Sequence, residues 1–399
     1  MSAANSLDRV IQTRRIVVCV GSGGVGKTTV AAALGVAAAA RGRRTLVVTI
    51  DPARRLAGAL GIADLGHEPR EIGAADAVAG SGALFAMMLD PKRTFDALVK
   101  RFAKSPEVRD RILENSLYQH LSLSLAGSAE YAAIEKVNEL MERDDFDLIV
   151  LDTPPADHAF DFLAAPERLI GFLDSRLVQM LIQPALRAGR LGFRFFGRGA
   201  QGILGLIERV SGLAFVEDLS DFLVAFESVA GGFRERAAQA QRRLRGEDAA
   251  FLLVTGPQRD RCEVASELLL RLEDQNAPVT GVLVNRVHTW PSTAPIPDSL
   301  LSKEPPQAAI EILASVLGEP SEPARDLAQA AVEAARGYAG AVESDGQQVS
   351  ELNRKALERT LSFHAIPELE QDIHNLAGIR QLARHLRLLP VDSAEKSPE

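Results

Sequence analysis

Short unbroken apolar runs alternate along this chain with longer stretches of helical periodicity. The runs are Arg15 to Val20, Thr45 to Ile50, Phe146 to Asp152, Ala249 to Thr255 and Val279 to Val284. Runs of this length without polar alternation predict strands buried on both faces of a parallel sheet. Between them the period changes. Thr29 to Val36 is a small-residue helix pattern, Phe95, Leu98, Val99 and Phe102 share one helical face, and Ile134, Val137, Leu140 and Met141 share another. Residues 160–247 are again helical and unusually apolar, a further helix is predicted near Arg259 to Glu273, and helical patterns run on to about Thr360. The Gly/Ala-rich residues 56–83 predict mixed helix and loop, and the Pro/Ser-rich residues 288–306 a loop. A basic helix near Gly378 to Leu389 precedes a disordered polar tail at about 390–399. At this length the chain could hold two or three domains or one elaborated α/β domain over residues 1–399; the expected form is a mostly parallel sheet flanked by helices, with an inserted α-helical subdomain at about 90–143 and 161–246. There is no internal repeat.

Composition narrows the classes. Apolar residues make up 46% of the 399, charged residues 25% and aromatics 5%, which describes a soluble protein with an Ala/Leu/Val core. A net charge of −8 argues against nucleic acid as the main partner. Two cysteines, Cys19 in a predicted strand and Cys262 on a predicted helix, exclude a disulfide framework and leave no CxxC for zinc. The first fifteen residues lack an apolar signal core, and no run of 18 or more apolar residues occurs. A cytoplasmic protein, free to work at a membrane periphery, is the expectation.

The chemistry is concentrated at strand ends. Gly21-Ser22-Gly23-Gly24-Val25-Gly26-Lys27-Thr28 lies between the first strand and the small-residue helix, the context of a phosphate-binding P-loop. Glycines let successive N–H groups turn inward around an anion at a helix N-terminus. Gly23, Gly24, Val25, Gly26, Lys27, Thr28 and Thr29 are thus the expected nucleotide-binding residues, with Lys27 reaching the β- and γ-phosphates and Thr28 ligating Mg²⁺. The expected cofactors are ATP and Mg²⁺. The second strand ends in Asp51-Pro52-Ala53-Arg54-Arg55. Asp51 sits where open α/β sheets bind ligands, suited to hold the attacking water; the plainer alternative is a helix cap. Phe146 to Asp152 has the Walker B form, with Asp152 on the metal or on its water. Thr153-Pro154-Pro155-Ala156-Asp157-His158 follows, and His158 is either structural or a phosphate-sensing switch. Asn285, ending the strand from Val279, is either a reader of adenine's edge or a turn former. Basic and aromatic residues interleave over 187–198, as in a charged connection between helices or a surface for an apolar helix or membrane.

The order of these pieces resembles the ArsA-type family: arsenite-pump ATPases and the ATPases that deliver tail-anchored membrane proteins, relatives of MinD, ParA and the nitrogenase iron protein. The matching segments are GSGGVGKTT from Gly21, DPARR from Asp51, DTPPADH from Asp152, VLVNR from Val282 and HAIPELEQDIHNLAGI from His364. The resemblance implies a P-loop NTPase fold, a water-positioning role for Asp51, a second switch opened by Asp152, and adenine contact by Asn285. It also implies a dimer, homomeric or with a related ATPase, whose closing on nucleotide rearranges helices that handle a hydrophobic or membrane-protein client.

Three departures qualify what the resemblance implies. The family's loop usually carries a lysine that reaches the partner's phosphates, and here that position is Ser22. Comparable trans-acting cations are worth about 10³–10⁵ in rate, so hydrolysis is slow or a lysine-bearing partner completes the site; Arg54 is a weaker compensating candidate. Arsenite-binding cysteines have no equivalent, which argues against an arsenite pump. The zinc-binding cysteine pair of the eukaryotic targeting ATPases is missing as well, and five methionines are too few for a methionine-rich client groove. A weakly hydrolytic regulatory subunit of a heterodimer is therefore the alternative function.

Overall fold

The computed structural model of the chain describes residues 3–51, 55–72, 82–124, 128–154, 159–173, 213–301, 307–317 and 322–389. Among these residues eight strands form one sheet: β1 (Ile16–Val20), β2 (Arg44–Thr49), β3 (Arg70–Glu71), β4 (Ala83–Met88), β5 (Leu148–Asp152), β6 (Ala249–Thr255), β7 (Val279–Val287) and β8 (Ser362–Pro367). Their spatial order is β3-β4-β2-β5-β1-β6-β7-β8. Every pairing is parallel except β3 with β4. The α/β class with a mostly parallel sheet, expected from the apolar runs, is what the chain adopts.

Side-chain alternation explains why these runs carry almost no polar residue. Ile16, Val18 and Val20 pack into one hydrophobic cluster, and Val17 and Cys19 into another on the opposite face. The second face is covered by the helices Ala3–Thr13, Lys27–Ala40, Arg55–Leu60 and Leu376–His385. The first is covered by Pro91–Phe102, Ser128–Arg143, Leu213–Arg245 and Arg259–Asp274. Helices from the stretches 90–143 and 161–246 thus share a cluster with the sheet itself. The small residues of Lys27–Ala40 let this helix lie against the strands: a Cβ on Gly35 would fall 2.5 Å from Val47 Cγ2. That close approach fixes where the helix begins, and so where the P-loop sits.

β4 corrects the expectation of mixed helix and loop at the end of 56–83, which left the following residues without an element. Ala83-Leu84-Phe85-Ala86-Met87-Met88 pairs with β2; its weak β-branching hid a strand that burial on the sheet makes stable. The Pro/Ser-rich stretch also carries a short helix, Asp298–Leu301. The basic–aromatic residues 187–198 and the tail lie outside the described residues.

A buried ion cluster joins the helix leading into β5 to the helix leading into β6. Arg236 Nε donates to Glu135 Oε1 at 2.8 Å, its Nη2 to the same oxygen at 2.5 Å, and its Nη1 to Glu142. Arg236 and Glu135 are 3% exposed each. Burial pushes the Glu135 carboxyl up, and Arg236 opposes that shift. Arg236→Ala would leave this carboxylate uncompensated and should cost about 3–5 kcal/mol in urea unfolding. The double variant Arg236→Met with Glu135→Leu should recover most of that loss, because it removes both charges together.

Candidate functional site

The loop after β1 turns tightly because two neighbours press on it. A Cβ on Gly21 would lie 1.9 Å from the Val254 carbonyl oxygen of β6, so only hydrogen fits. Gly26, at φ +92°, opens the Lys27–Ala40 helix in a left-handed conformation. A Cβ there would lie 2.3 Å from Asn285 Nδ2. Asn285 itself, 8% exposed, donates from Nδ2 to the Val25 carbonyl at 2.9 Å. β7 therefore holds the P-loop through a side chain as well as through packing.

Lys27 is buried inside the loop. Its Nζ donates to the carbonyls of Gly21 at 3.0 Å and Ser22 at 2.9 Å. Burial pulls its pKa down, while nearby Asp152 pushes the other way. An ammonium held by neutral carbonyls can exchange those bonds for an anion's oxygens without leaving the loop. Gly23 and Gly24 are exposed, and Thr28 and Thr29 are partly buried.

Parallel register brings the acidic residues to the same edge. Asp152 at the end of β5 pairs with Cys19 on one side and Thr49 on the other. Asp152 Oδ2 accepts from the Thr28 hydroxyl at 2.7 Å and from the Thr49 hydroxyl at 2.9 Å. The carboxyl is 1% exposed, and its second oxygen, Oδ1, is buried with no hydrogen-bond partner among the described residues. Burial lifts its pKa to about 6, against the two hydroxyls and Lys27. Beyond Thr49, the Asp51 amide donates to that residue's hydroxyl at 3.2 Å, and the Asp51 carboxylate stands 3.5 Å from Arg55 Nη1. Lys27, Thr28, Asp51 and Asp152 thus converge around the ends of β1, β5 and β2, and Asn285 reaches the loop from the β7 side.

Two participants were not anticipated from sequence. Thr49 bridges Asp152 to Asp51, and the Thr153 hydroxyl donates to the Cys19 carbonyl at 2.7 Å, pinning β5 to β1. A threonine ending a buried strand is a weak signal by itself; only the register makes it meaningful. Pro52, Ala53, Arg54 and residues 155–158, with His158, lie outside the described residues.

The donor set suits a magnesium nucleotide: a cradle that admits no Cβ at Gly21 or Gly26, a buried lysine, a threonine hydroxyl, and a carboxyl with one spare buried oxygen. Both thiols are poor arsenic ligands, since Cys19 and Cys262 are buried singly and burial raises both, Cys262 to about 11.

Residues 14–194, which contain the P-loop, Asp51 and Asp152, match the anion-transporting ATPase family. The likeness to that family lies in this segment, which is under half of the chain. A Halobacterium salinarum protein named as a candidate arsenical pump-driving ATPase is 32% identical over 174 residues, 41% of this chain and 26% of that one. The Aspergillus terreus ATPase get3 is 30% identical over 205 residues, 51% of this chain and 58% of the relative. The Arabidopsis thaliana ATPase GET3C is 26% identical over 297 residues, 69% of this chain and 68% of the relative. The chain spans 26% to 58% of the length of the first four curated relatives it matches.

Asp152 sets a pH dependence. Its carboxyl is raised from 3.8 to about 6, so the fold favours the neutral form. That stabilisation is complete below the ordinary value and is lost as pH rises through about 6. In chelator and without nucleotide, stability should fall from pH 4 to pH 7 by on the order of 3 kcal/mol through this group. Urea unfolding across that range should show the slope, and Asp152→Asn should flatten it.

Proposed function

We propose that this chain binds ATP with Mg²⁺ and hydrolyses it. The observation that carries the reading is the Asp152 carboxyl, shared by the Thr28 and Thr49 hydroxyls and keeping one oxygen spare beside a buried P-loop lysine. Thr28 and Asp152 would hold the metal, which supplies positive charge at the phosphates. Lys27 would transfer its hydrogen bonds from the loop carbonyls to the β- and γ-phosphates. Asp51 would orient a water toward the γ-phosphorus; attack there breaks the bond to the ADP oxygen, and the water's proton leaves with the phosphate product. Such catalysis is positioning and electrostatic stabilisation, with no covalent step for the protein.

The family resemblance extends the reading to a cycle. Nucleotide would close a dimer and hydrolysis reopen it. The helices on the face opposite Lys27–Ala40 would transmit the change to a hydrophobic or membrane-associated client. Among the described residues no helix is long and apolar enough to cross a membrane; a client of this kind would be handled from outside the bilayer.

A second reading rests on Ser22. The family resemblance puts the trans-acting lysine at this position, and among the described residues the Ser22 hydroxyl is buried without a partner. A short neutral side chain there favours a weakly hydrolytic subunit that pairs with a lysine-bearing relative.

ATP turnover of the purified chain separates the two. Asp51→Asn should lower a measurable turnover by about 10²–10⁴. If the wild type is slow for want of a cation, Ser22→Lys should raise its rate at least about tenfold. A near-zero rate unaltered by either variant would remove hydrolysis from the proposal and leave nucleotide binding alone.

A further inference from the structure

Among the described residues, five that are not glycine take a left-handed backbone: Asp144, Asn276, Arg286, Thr360 and Arg387. Four of them follow, by one or two residues, the helices that end at Arg143, Asp274, Glu358 and His385. A left-handed residue is routine there, because it satisfies the helix's last carbonyls. Arg286 has no helix to close. At φ +61° it lies inside β7, where a pleated strand needs a strongly negative φ.

The strand is bulged at this residue. Val284 pairs with Ala365 and Val287 with Pro367, so three steps on β7 face two on β8. A bulge re-aims a side chain, and unusual backbone persists only where the surroundings over-determine it. Both sides of Arg286 are held. Before it, Asn285 is bonded to the P-loop carbonyl of Val25. After it, the His288 amide and Nδ1 both meet Asp345 Oδ2, at 2.9 and 2.7 Å, and Nε2 lies 3.1 Å from Glu368 Oε2. The Glu368 amide also donates to the Val287 carbonyl at 3.0 Å. Between these anchors the Arg286 side chain is exposed, and among the described residues its guanidinium has no ion-pair, hydrogen-bond or ring partner.

Its place in the sheet says what it faces. Thr28, Thr49, Asp51 and Asp152 gather at β1, β5 and β2, on one flank of the P-loop. β6 and β7 form the other flank. With phosphates and metal at the first flank, the nucleoside extends over the second, along the carboxyl edge where open α/β sheets bind their ligands. Asn285 spends one amide hydrogen on Val25 and keeps its carbonyl oxygen and second hydrogen for a base edge. A guanidinium is planar, weakly hydrated and stacks on aromatic faces.

We infer that Arg286 is a nucleotide-binding residue whose guanidinium caps the face of the purine while Asn285 meets its edge. The inference rests on the ATP reading above and adds to it a residue that sets preference for an aromatic base.

Arg286→Asn isolates the effect, because asparagine tolerates the left-handed conformation and loses only the guanidinium. Arg286→Lys keeps the charge and loses the plane. Affinity is read by displacement of a fluorescent ATP analogue with Mg·ATP and, separately, with Mg·tripolyphosphate, which has no base. Arg286→Asn should weaken ATP about tenfold, leave tripolyphosphate and the melting temperature unchanged, and Arg286→Lys should fall between. An equal loss for both competitors would make Arg286 a phosphate contact and overturn the assignment, as would no change in either. A wild type that does not bind the ATP analogue at all would instead overturn the nucleotide reading, and this residue's role with it.

Discussion

One carboxyl oxygen holds the site together. Asp152 Oδ2 receives hydroxyls from the first helix after the P-loop and from the end of β2, so three separate chain segments meet on a single buried atom. The group is expensive to bury, and the cost appears as a carboxyl pKa lifted to about 6. What offsets it is local: two hydroxyl donors and the neighbouring Lys27 ammonium. A group held this way responds strongly to any cation placed against its spare oxygen, because in a low-dielectric pocket a charge is only weakly screened.

The sheet supplies the precision behind that contact. Parallel register sets Cys19, Asp152 and Thr49 level with one another, and the glycine-tight approach of the P-loop to Val254 and Asn285 leaves the loop no room to drift. The two flanks then differ in character. The β5–β2 side carries hydroxyls and carboxylates, suited to metal and water. The β7 side carries an amide and a guanidinium that is unpaired among the described residues, suited to an aromatic base. On the far face the Arg236–Glu135 pair ties the helix entering β5 to the helix entering β6.

Much of this was legible in the residues because it is locally encoded. Five apolar runs announced five of the eight strands, and a glycine loop between strand and helix announced the phosphate cradle. β4 escaped because Ala83-Leu84-Phe85-Ala86-Met87-Met88 is rich in residues equally content in a helix; pairing with β2 decided its conformation. Thr49 escaped for a related reason: a threonine in a β-branched strand looks like propensity, and its bond to Asp152 exists only across the register of two strands 103 residues apart.

By itself the sequence determined the fold class, the phosphate loop and the identity of its charged residues, since each depends on neighbours a few positions away. Tertiary structure alone decided which oxygen of Asp152 is used and which is spare, that Lys27 rests on the loop's own carbonyls, and that Asn285 clamps the P-loop. It alone decided that Arg286 stands in a left-handed bulge. These are consequences of how distant strands align and how much water they exclude, and no short-range pattern in the chain carries that information.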